Sequence, residues 1–435
     1  MEPAVIGFIG IVLLFVLIAL GVPIGFGFLS VGFLGIAFLT DLDIAMSSLA
    51  RIPFTWITQY VFTCVPLFIL MGLLMANTGT AKDLFDLGFK WVGRVRGGLA
   101  MGTTLGCAAF GAVSGSATAC AATMSTICHP EMKQKKYSDG LSLGSIAAGS
   151  GIGLMIPPSL AFIVYGIMSE ESIGRLFLAG IIPGIIQTIA FMITIYIMVW
   201  LRPAHAPVMS QERLTWMAKI KALTKMWSVV VLFVLVIGGI YLGWCTVSEA
   251  AAVGAAGSII VALAQRRLTW ENFKHSFIMA AGITAVITIV VVGAMVFTVF
   301  LTLSGLPQTL CQILGHFQSP AIIVLCILLI YIPLGMVMDS VSMIVLTLPL
   351  YQPFLMASGV DMIWFGILVC MLIQIGAITP PIGLNIFTVK AVAKEVPMGR
   401  IFRGALPFLI ANIVVTGILF LFPWISLVLP RLMMG

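Results

Sequence analysis

Charge is what this sequence has least of. Only 9% of its 435 residues are Asp, Glu, Lys or Arg, against about 25% in an ordinary soluble domain. Too few charges remain to coat a water-exposed surface, and several apolar runs exceed the roughly 20 residues that span hydrocarbon as a helix. Paired cysteine is missing too. The eight cysteines include no Cys-x-x-Cys, so they read as small buried hydrophobes, neither a disulfide framework nor a metal site. The four histidines (129, 205, 275 and 316) are scattered at predicted loops or helix ends without metal-ligand spacing. There is no His-Glu-x-x-His, no Ser/His/Asp set at helix-facing spacing and no nucleotide loop. A membrane-embedded enzyme is left without support, and no catalytic residue or organic cofactor is expected. Met1-Glu2-Pro3 lacks a basic leader and a cleavage site, so the first apolar run is expected to be a retained anchor.

What the chain has in abundance is apolar segments, at roughly 4–20, 22–40, 60–77, 99–128, 141–168, 176–201, 226–243, 247–264, 276–303, 320–353, 362–392 and 405–429. They predict an all-α polytopic membrane protein. The run from 202 to 225 is polar and basic and reads as a linker.

Two kinds of segment are irregular. In the run Gly149-Ser150-Gly151-Ile152-Gly153-Leu154-Met155-Ile156-Pro157-Pro158-Ser159, three glycines and two prolines interrupt a helix at mid-span. Proline removes backbone donors and clashes with the preceding turn. Unpaired backbone at membrane depth is tolerated only inside protein or beside a wet cavity. The run therefore predicts a broken helix, 138–168, lining a site, although a proline kink kept for packing would look the same in isolation. The segment 99–128 is unusual in another way: 23 of its 30 residues are Gly, Ala, Ser, Thr or Cys. As a single helix it would be about 45 Å long, well beyond the roughly 30 Å hydrocarbon core. Folded at Ser114-Gly115-Ser116 it becomes a re-entrant hairpin, 97–128, whose small side chains allow close packing. One tilted helix with a small-residue face is the plainer alternative.

Both devices recur. Gly153-x-x-x-Pro157-Pro158 matches Gly376-x-x-x-Pro380-Pro381, Gly174-Arg175-Leu176-Phe177 matches Gly399-Arg400-Ile401-Phe402, and Pro183 matches Pro407. Ser114 lies 43 residues before Pro157, and Asp339 lies 41 before Pro380. The chain reads as a duplication: 1–201, the linker 202–225, and 226–435 with a hairpin at 320–353 and a broken helix at 362–392. Five crossings plus one hairpin make each copy cross an odd number of times, so the second copy is expected to be inverted. With 202–225 in the cytoplasm, 19 of the 22 Lys and Arg fall on the cytoplasmic side, as the positive-inside rule requires. The +7 net charge is then an orientation signal and calls for no nucleic acid. Both termini are expected outside.

Inverted repeats with broken helices and hairpins at the midplane are transporter architecture. Carbonyls at the breaks suit a weakly held cation such as sodium, and the N–H groups that restart each helix, near Ser159 and Ile382, favour anions. Ser114, Ser116, Thr118, Ser340, Ser342 and Thr379 add neutral oxygens. Asp339, at the second tip, is either a functional carboxylate or one solvated at a wet turn. Arg175 and Arg400 read as snorkelling side chains, and Thr246-Val247-Ser248-Glu249 as a capping box.

Gly111-Ala112-Val113-Ser114-Gly115-Ser116-Ala117-Thr118, the run Gly151 to Ser159, Gly180-Ile181-Ile182-Pro183-Gly184 and Thr379-Pro380-Pro381-Ile382-Gly383-Leu384-Asn385 resemble the large membrane subunit of tripartite ATP-independent periplasmic (TRAP) transporters. The resemblance covers essentially the whole chain. It implies a sodium-driven elevator of the ion transporter superfamily in a bacterial inner membrane. Its partners would be a small four-helix membrane subunit and a periplasmic substrate-binding protein, and its substrate an organic acid such as a dicarboxylate or sialic acid. It also implies one sodium site at Ser114, Ser150, Gly151, Gly153 and Ile156, and a second at Gly335, Gly376, Thr379 and Ile382. Ser116, Thr118, Ser159, Asp339, Ser340 and Asn385 would then meet the substrate. No additional four-helix region precedes the first copy, so the small subunit is expected as a separate chain. A stand-alone sodium/carboxylate carrier of similar fold is the alternative, and a passive channel fits paired closed hairpins less well.

Overall fold

The computed structural model describes residues 2–92, 95–207, 227–314 and 320–434, and most of the expected linker, 208–226, lies outside them. Twenty α-helices account for nearly all of the described chain. The first ten are α1 Pro3–Ala19, α2 Ile24–Leu39, α3 Leu42–Ile57, α4 Cys64–Asn77, α5 Thr80–Val92, α6 Gly98–Ser114, α7 Ala117–Gln134, α8 Asp139–Gly149, α9 Leu160–Ser169 and α10 Ile173–Leu201. Next come α11 Trp227–Tyr241, which contains a π-helical turn, α12 Val247–Ala264, α13 Trp270–Ser304, α14 Leu306–Leu314 and α15 Pro320–Gly335. The chain ends with α16 Ser340–Ala357, α17 Met362–Ala377, α18 Leu384–Val392, α19 Met398–Leu421 and α20 Trp424–Met434. Among the described residues, six helical spans are long and apolar enough to cross a membrane by themselves, including α10, α13 and α19. The helix order from α4 to α10 recurs from α13 to α19.

Local sequence sets the interruptions. α6 ends at Ser114 because Gly115 takes a left-handed φ of 62°, a conformation that costs glycine little. Ser116 then caps α7, its side chain accepting from the Ala119 N–H. In the second half the chain turns after Gly335, and Asp339 caps α16 by accepting from the Val341 and Ser342 N–H groups. After α8 the run Ser150–Leu154 tightens into a 3-10 turn, and Ser159 caps α9. After α17 the chain passes Thr379-Pro380-Pro381 before Gly383, with φ 58°, starts α18. The Glu249–Thr246 capping box forms as expected.

Three helices have no counterpart in the apolar-run reading: α3, α5 and α14. Each mixes polar with apolar residues and so escapes a search for long hydrophobic runs. α3 is instead announced by its N-cap, Asp41, which accepts from the Ile44 N–H at 2.7 Å. His129 also departs from its expected place, since it lies buried within α7, 3.0 Å from the Ser142 hydroxyl.

Charged pairs tie distant parts of the chain together. Lys133 meets Glu395 at 3.1 Å and Arg400 meets Asp139 at 3.2 Å. Arg267 pairs with Asp83. Every basic residue in these pairs belongs to the set that the positive-inside count places on one face.

Hairpins and breaks meet without side chains between them. A Cβ added to Gly111 would lie 2.3 Å from the Gly153 Cα, and one added to Gly376 would lie 2.6 Å from the Gly335 Cα. In both halves, the glycine-bearing arm of a hairpin therefore rests backbone on backbone against a helix break. Gly111→Val and Gly376→Val are each expected to cost at least the ~1–3 kcal/mol of an overpacked core. Gly417→Ala, in a helix where an added Cβ meets nothing within 4 Å, should gain a few tenths to about 1 kcal/mol. Thermal melts of the purified protein check all three.

Candidate functional site

The elements just described converge on a cavity of about 650 Å³. The first hairpin tip supplies Gly115, Ser116, Ala117 and Thr118, and the second supplies Met338, Asp339, Ser340, Val341 and Ser342. Leu154 and Leu160 come from the two sides of the first break, and Ala377, Leu384 and Asn385 from the two sides of the second. The opposite wall is one face of α13, from Ile278 to Val290.

Hydrogen bonds fix this arrangement. The Leu160 N–H donates to the Gly115 carbonyl at 3.3 Å, holding the first tip against the start of α9. The Asn385 side-chain amide donates to the Ala147 carbonyl at 3.2 Å, joining the second broken helix to the first. Ser116 and Thr118 hydroxyls are 3.2 Å apart. The Asp339 carboxylate is turned toward its own helix, where it accepts from Val341 and Ser342 N–H groups at 3.0 and 3.2 Å and from the Ser342 hydroxyl.

Four helix N-termini reach the cavity: α7, α9, α16 and α18. Ser116, Ser159 and Asp339 cap the first three, whereas α18 begins at Gly383 with no side-chain cap. Free N–H groups at a helix start, with the dipole behind them, favour a negative ligand. Among the described residues, no Lys, Arg or His lines the cavity, so an anion there would be met by N–H groups, hydroxyls and the Asn385 amide.

Of the residues expected to meet substrate, Ser116, Thr118, Asp339, Ser340 and Asn385 line the cavity. Ser159 does not. It is fully buried, and its hydroxyl accepts from the Phe162 N–H at 3.4 Å.

The residues expected to hold sodium fall into two groups, one at each tip-and-break contact. In the first, the Ser114 hydroxyl is buried and has no hydrogen-bond partner among the described residues. The Ser150 hydroxyl donates to the Ala147 carbonyl at 2.9 Å. Ile152 has its carbonyl taken by the Met155 and Ile156 N–H groups. Gly153 faces Gly111, and Gly151 faces the Gln374 side chain. In the second group, the Thr379 hydroxyl donates to the Ile375 carbonyl at 2.6 Å, and the Gly376 carbonyl accepts from the Thr379 N–H. Among the described residues, no cluster of three or more His, Cys, Asp or Glu could hold a metal ion. The oxygens present are neutral, a set suited to a monovalent rather than a divalent cation.

The two breaks differ in access. Residues 150–155 and 157–159 are buried, whereas Pro380, Pro381 and Ile382 are exposed, Ile382 by 40%.

Residue-by-residue reading missed the α13 wall, Leu154, Leu160 and Met338, because apolar residues carry no local mark of a cavity. It also missed a buried polar link in which the Gln187 amide donates to Gln374 and, at 3.1 Å, to Asn412. Polar side chains in α10, α17 and α19, each within an apolar stretch, were the available signal.

Paired hairpins seated on broken helices around one cavity, within a bundle of apolar helices, define a multi-pass membrane protein of transporter type. The model of the family "Tripartite ATP-independent periplasmic transporter, DctM component" matches residues 11–425, and the chain belongs to this family. A C4-dicarboxylate TRAP transporter large permease protein of Pseudomonas aeruginosa is 33% identical over 89% of this chain and 90% of its own length. A sialic acid TRAP transporter large permease protein of Vibrio cholerae is 30% identical over 95% and 96%. An ectoine TRAP transporter large permease protein of Halomonas elongata is 32% identical over 85% and 86%. These relatives are transporter subunits, not enzymes. The fold also resembles the YdaH transporter of Alcanivorax borkumensis, with a TM-score of 0.62 and 14% identity over 90% of this chain and 91% of that one.

The unequal breaks give a direct test. With the native cysteines replaced, Ile382→Cys should react with a small maleimide at least about tenfold faster than Ile152→Cys, which is buried on every side. Rate constants from a timed labelling series check this, and equal rates would contradict the described arrangement.

Proposed function

We propose that the chain is the translocating subunit of a sodium-coupled importer of an organic acid, a dicarboxylate, sialic acid or similar carboxylate. Its substrate would arrive from a periplasmic binding protein, and a small four-helix membrane subunit would complete the complex. The observation that carries this reading is the cavity itself. It is lined by both hairpin tips and by helix N-termini, one of them uncapped, and by no basic side chain among the described residues. Such a site holds a carboxylate by dipoles and hydroxyls, weakly enough to release it.

Sodium would enter as co-substrate at the two glycine contacts, one formed by Ser114, Ser150, Gly151, Gly153 and Ile156, the other by Gly335, Gly376, Thr379 and Ile382. The buried, unpartnered Ser114 hydroxyl supports the first. The Thr379 hydroxyl, whose hydrogen is engaged with Ile375, keeps lone pairs for the second. Each sodium moving inward contributes about 2.3 kcal/mol per 100 mV before its concentration gradient is added. Two ions would suffice to concentrate a carboxylate.

In this reading the repeat is inverted, the membrane is the bacterial inner membrane, and both termini face the periplasm. The hairpins and broken helices, near 97–168 and 320–392, would move together as an elevator against the remaining helices. The ion pairs Lys133–Glu395 and Arg400–Asp139 fall on the face assigned to the cytoplasm. Cysteines placed at Lys133 and Asp361 should therefore label from opposite sides, and labelling from one side would refute the inversion.

The deciding experiment is uptake of radiolabelled C4-dicarboxylate and sialic acid into proteoliposomes, with and without sodium and with and without the binding protein. Sodium-dependent uptake that requires the binding protein is expected. Uptake by the chain alone would make it a stand-alone carrier. Ser114→Ala and Thr379→Ala should each raise the half-saturating sodium concentration, by about tenfold for the loss of one ligand worth ~1.4 kcal/mol. Unchanged sodium activation in both would move the cation elsewhere.

A further inference from the structure

Away from the central cavity, a second cavity of about 680 Å³ lies where α8 and α19 begin and α10 ends. Its polar lining comprises Arg202, Arg400, Arg403, His205, Asp139 and Ser138, together with Tyr137. Among the described residues, three guanidinium groups share it with a single carboxylate, and that carboxylate is paired with Arg400 at 3.2 Å. Neither Arg202 nor Arg403 has an ion-pair partner among the described residues. His205 is held by a 2.9 Å contact between its Nδ1 and the Ser138 hydroxyl. Burial and the neighbouring Arg202 hold its pKa below the usual range, so the imidazole adds a polar group rather than another charge.

Backbone packing brings the arginines together. A Cβ on Gly144 would lie 2.4 Å from the Gly404 carbonyl carbon, and Gly404 also rests against Gly140. α19 is thereby pressed onto α8 within its first two turns, which carry Arg400 and Arg403 into the same opening as the last turn of α10. The remaining lining is apolar and includes Met198, Leu201 and Pro407. It runs outward into exposed apolar surface, with Leu201 65% and Leu406 53% exposed. A cluster of guanidinium groups at helix ends, backed by an apolar slot open to the bilayer, matches a ligand with an anionic phosphate and hydrocarbon chains. A soluble anion would use the charges and leave the slot empty.

We propose that this cavity binds the phosphodiester headgroup of an anionic phospholipid, with Arg202, Arg400 and Arg403 on the phosphate and an acyl chain along Met198, Leu201 and Pro407. The site requires only that the chain sit in a bilayer, and it is independent of what the central cavity carries. Free phosphate shares the headgroup chemistry but not the acyl slot.

Native mass spectrometry of the full chain tests the assignment, using phosphatidylglycerol, phosphatidylcholine and inorganic phosphate as probes. The wild-type chain should retain phosphatidylglycerol in preference to phosphatidylcholine. In Arg400→Gln/Arg403→Gln that preference should fall on the order of tenfold or more. Arg403→Gln alone, which breaks no ion pair, should lower it by a smaller factor, and Arg403→Lys should restore part of it; both guard against misfolding of the double variant. Equal retention of the two lipids by the wild type, or an unchanged preference in the variants, would overturn the proposal. Displacement of phosphatidylglycerol by inorganic phosphate would assign the cavity to the free anion and overturn the lipid.

Discussion

An interrupted helix inside a membrane leaves backbone groups that neither lipid nor water can satisfy, and the rest of this fold follows from how those groups are covered. Each helix break is covered by the tip of a hairpin, itself an interruption. Gly111 meets Gly153 and Gly335 meets Gly376, and the Leu160 N–H finds the Gly115 carbonyl. Once each tip is seated on its break, the helix starts at Ala117, Ser340 and Leu384 face a common space. The unbroken α13 closes the far side. The cavity is thus what remains when two pairs of defects satisfy one another.

The sequence was legible where a residue imposes a backbone conformation or forbids one. Gly115 and Ser116 mark the first tip, Asp339 the start of the helix after the second, and the paired prolines both breaks. It was less legible where meaning depends on three-dimensional direction. Ser116 and Ser159 have the same local role, a hydroxyl capping the helix that follows, yet one lines the cavity and the other is sealed beneath it. Nothing within a few residues distinguishes them. The amphipathic helices α3, α5 and α14 escaped for a simpler reason, since their apolar content is diluted by polar residues. The link from Gln187 to Gln374 and Asn412 spans three helices: each polar residue stands out in its own apolar stretch, but their pairing does not.

Charge is segregated in the same way as backbone irregularity. Among the described residues the cavity contains one carboxylate, already turned onto its own helix, while the ion pairs with Asp83, Asp139 and Glu395 lie at helix ends. Low-dielectric surroundings make an unpaired charge costly and strengthen every dipole. A site built from helix starts and hydroxyls therefore attracts an anion without having to bury a compensating cation of its own.

Contacts between glycine backbones have a further consequence. Side chains in contact can exchange rotamers and hold a partner over a range of separations. Glycine has none to exchange, so the separation at Gly111–Gly153 and Gly335–Gly376 is set by van der Waals contact between the backbones. Withdrawing a tip by even one ångström would forfeit a quarter to a half of the local van der Waals attraction and leave a gap too narrow for water. The loss is steep, so the glycine contacts hold each tip at one depth against its break.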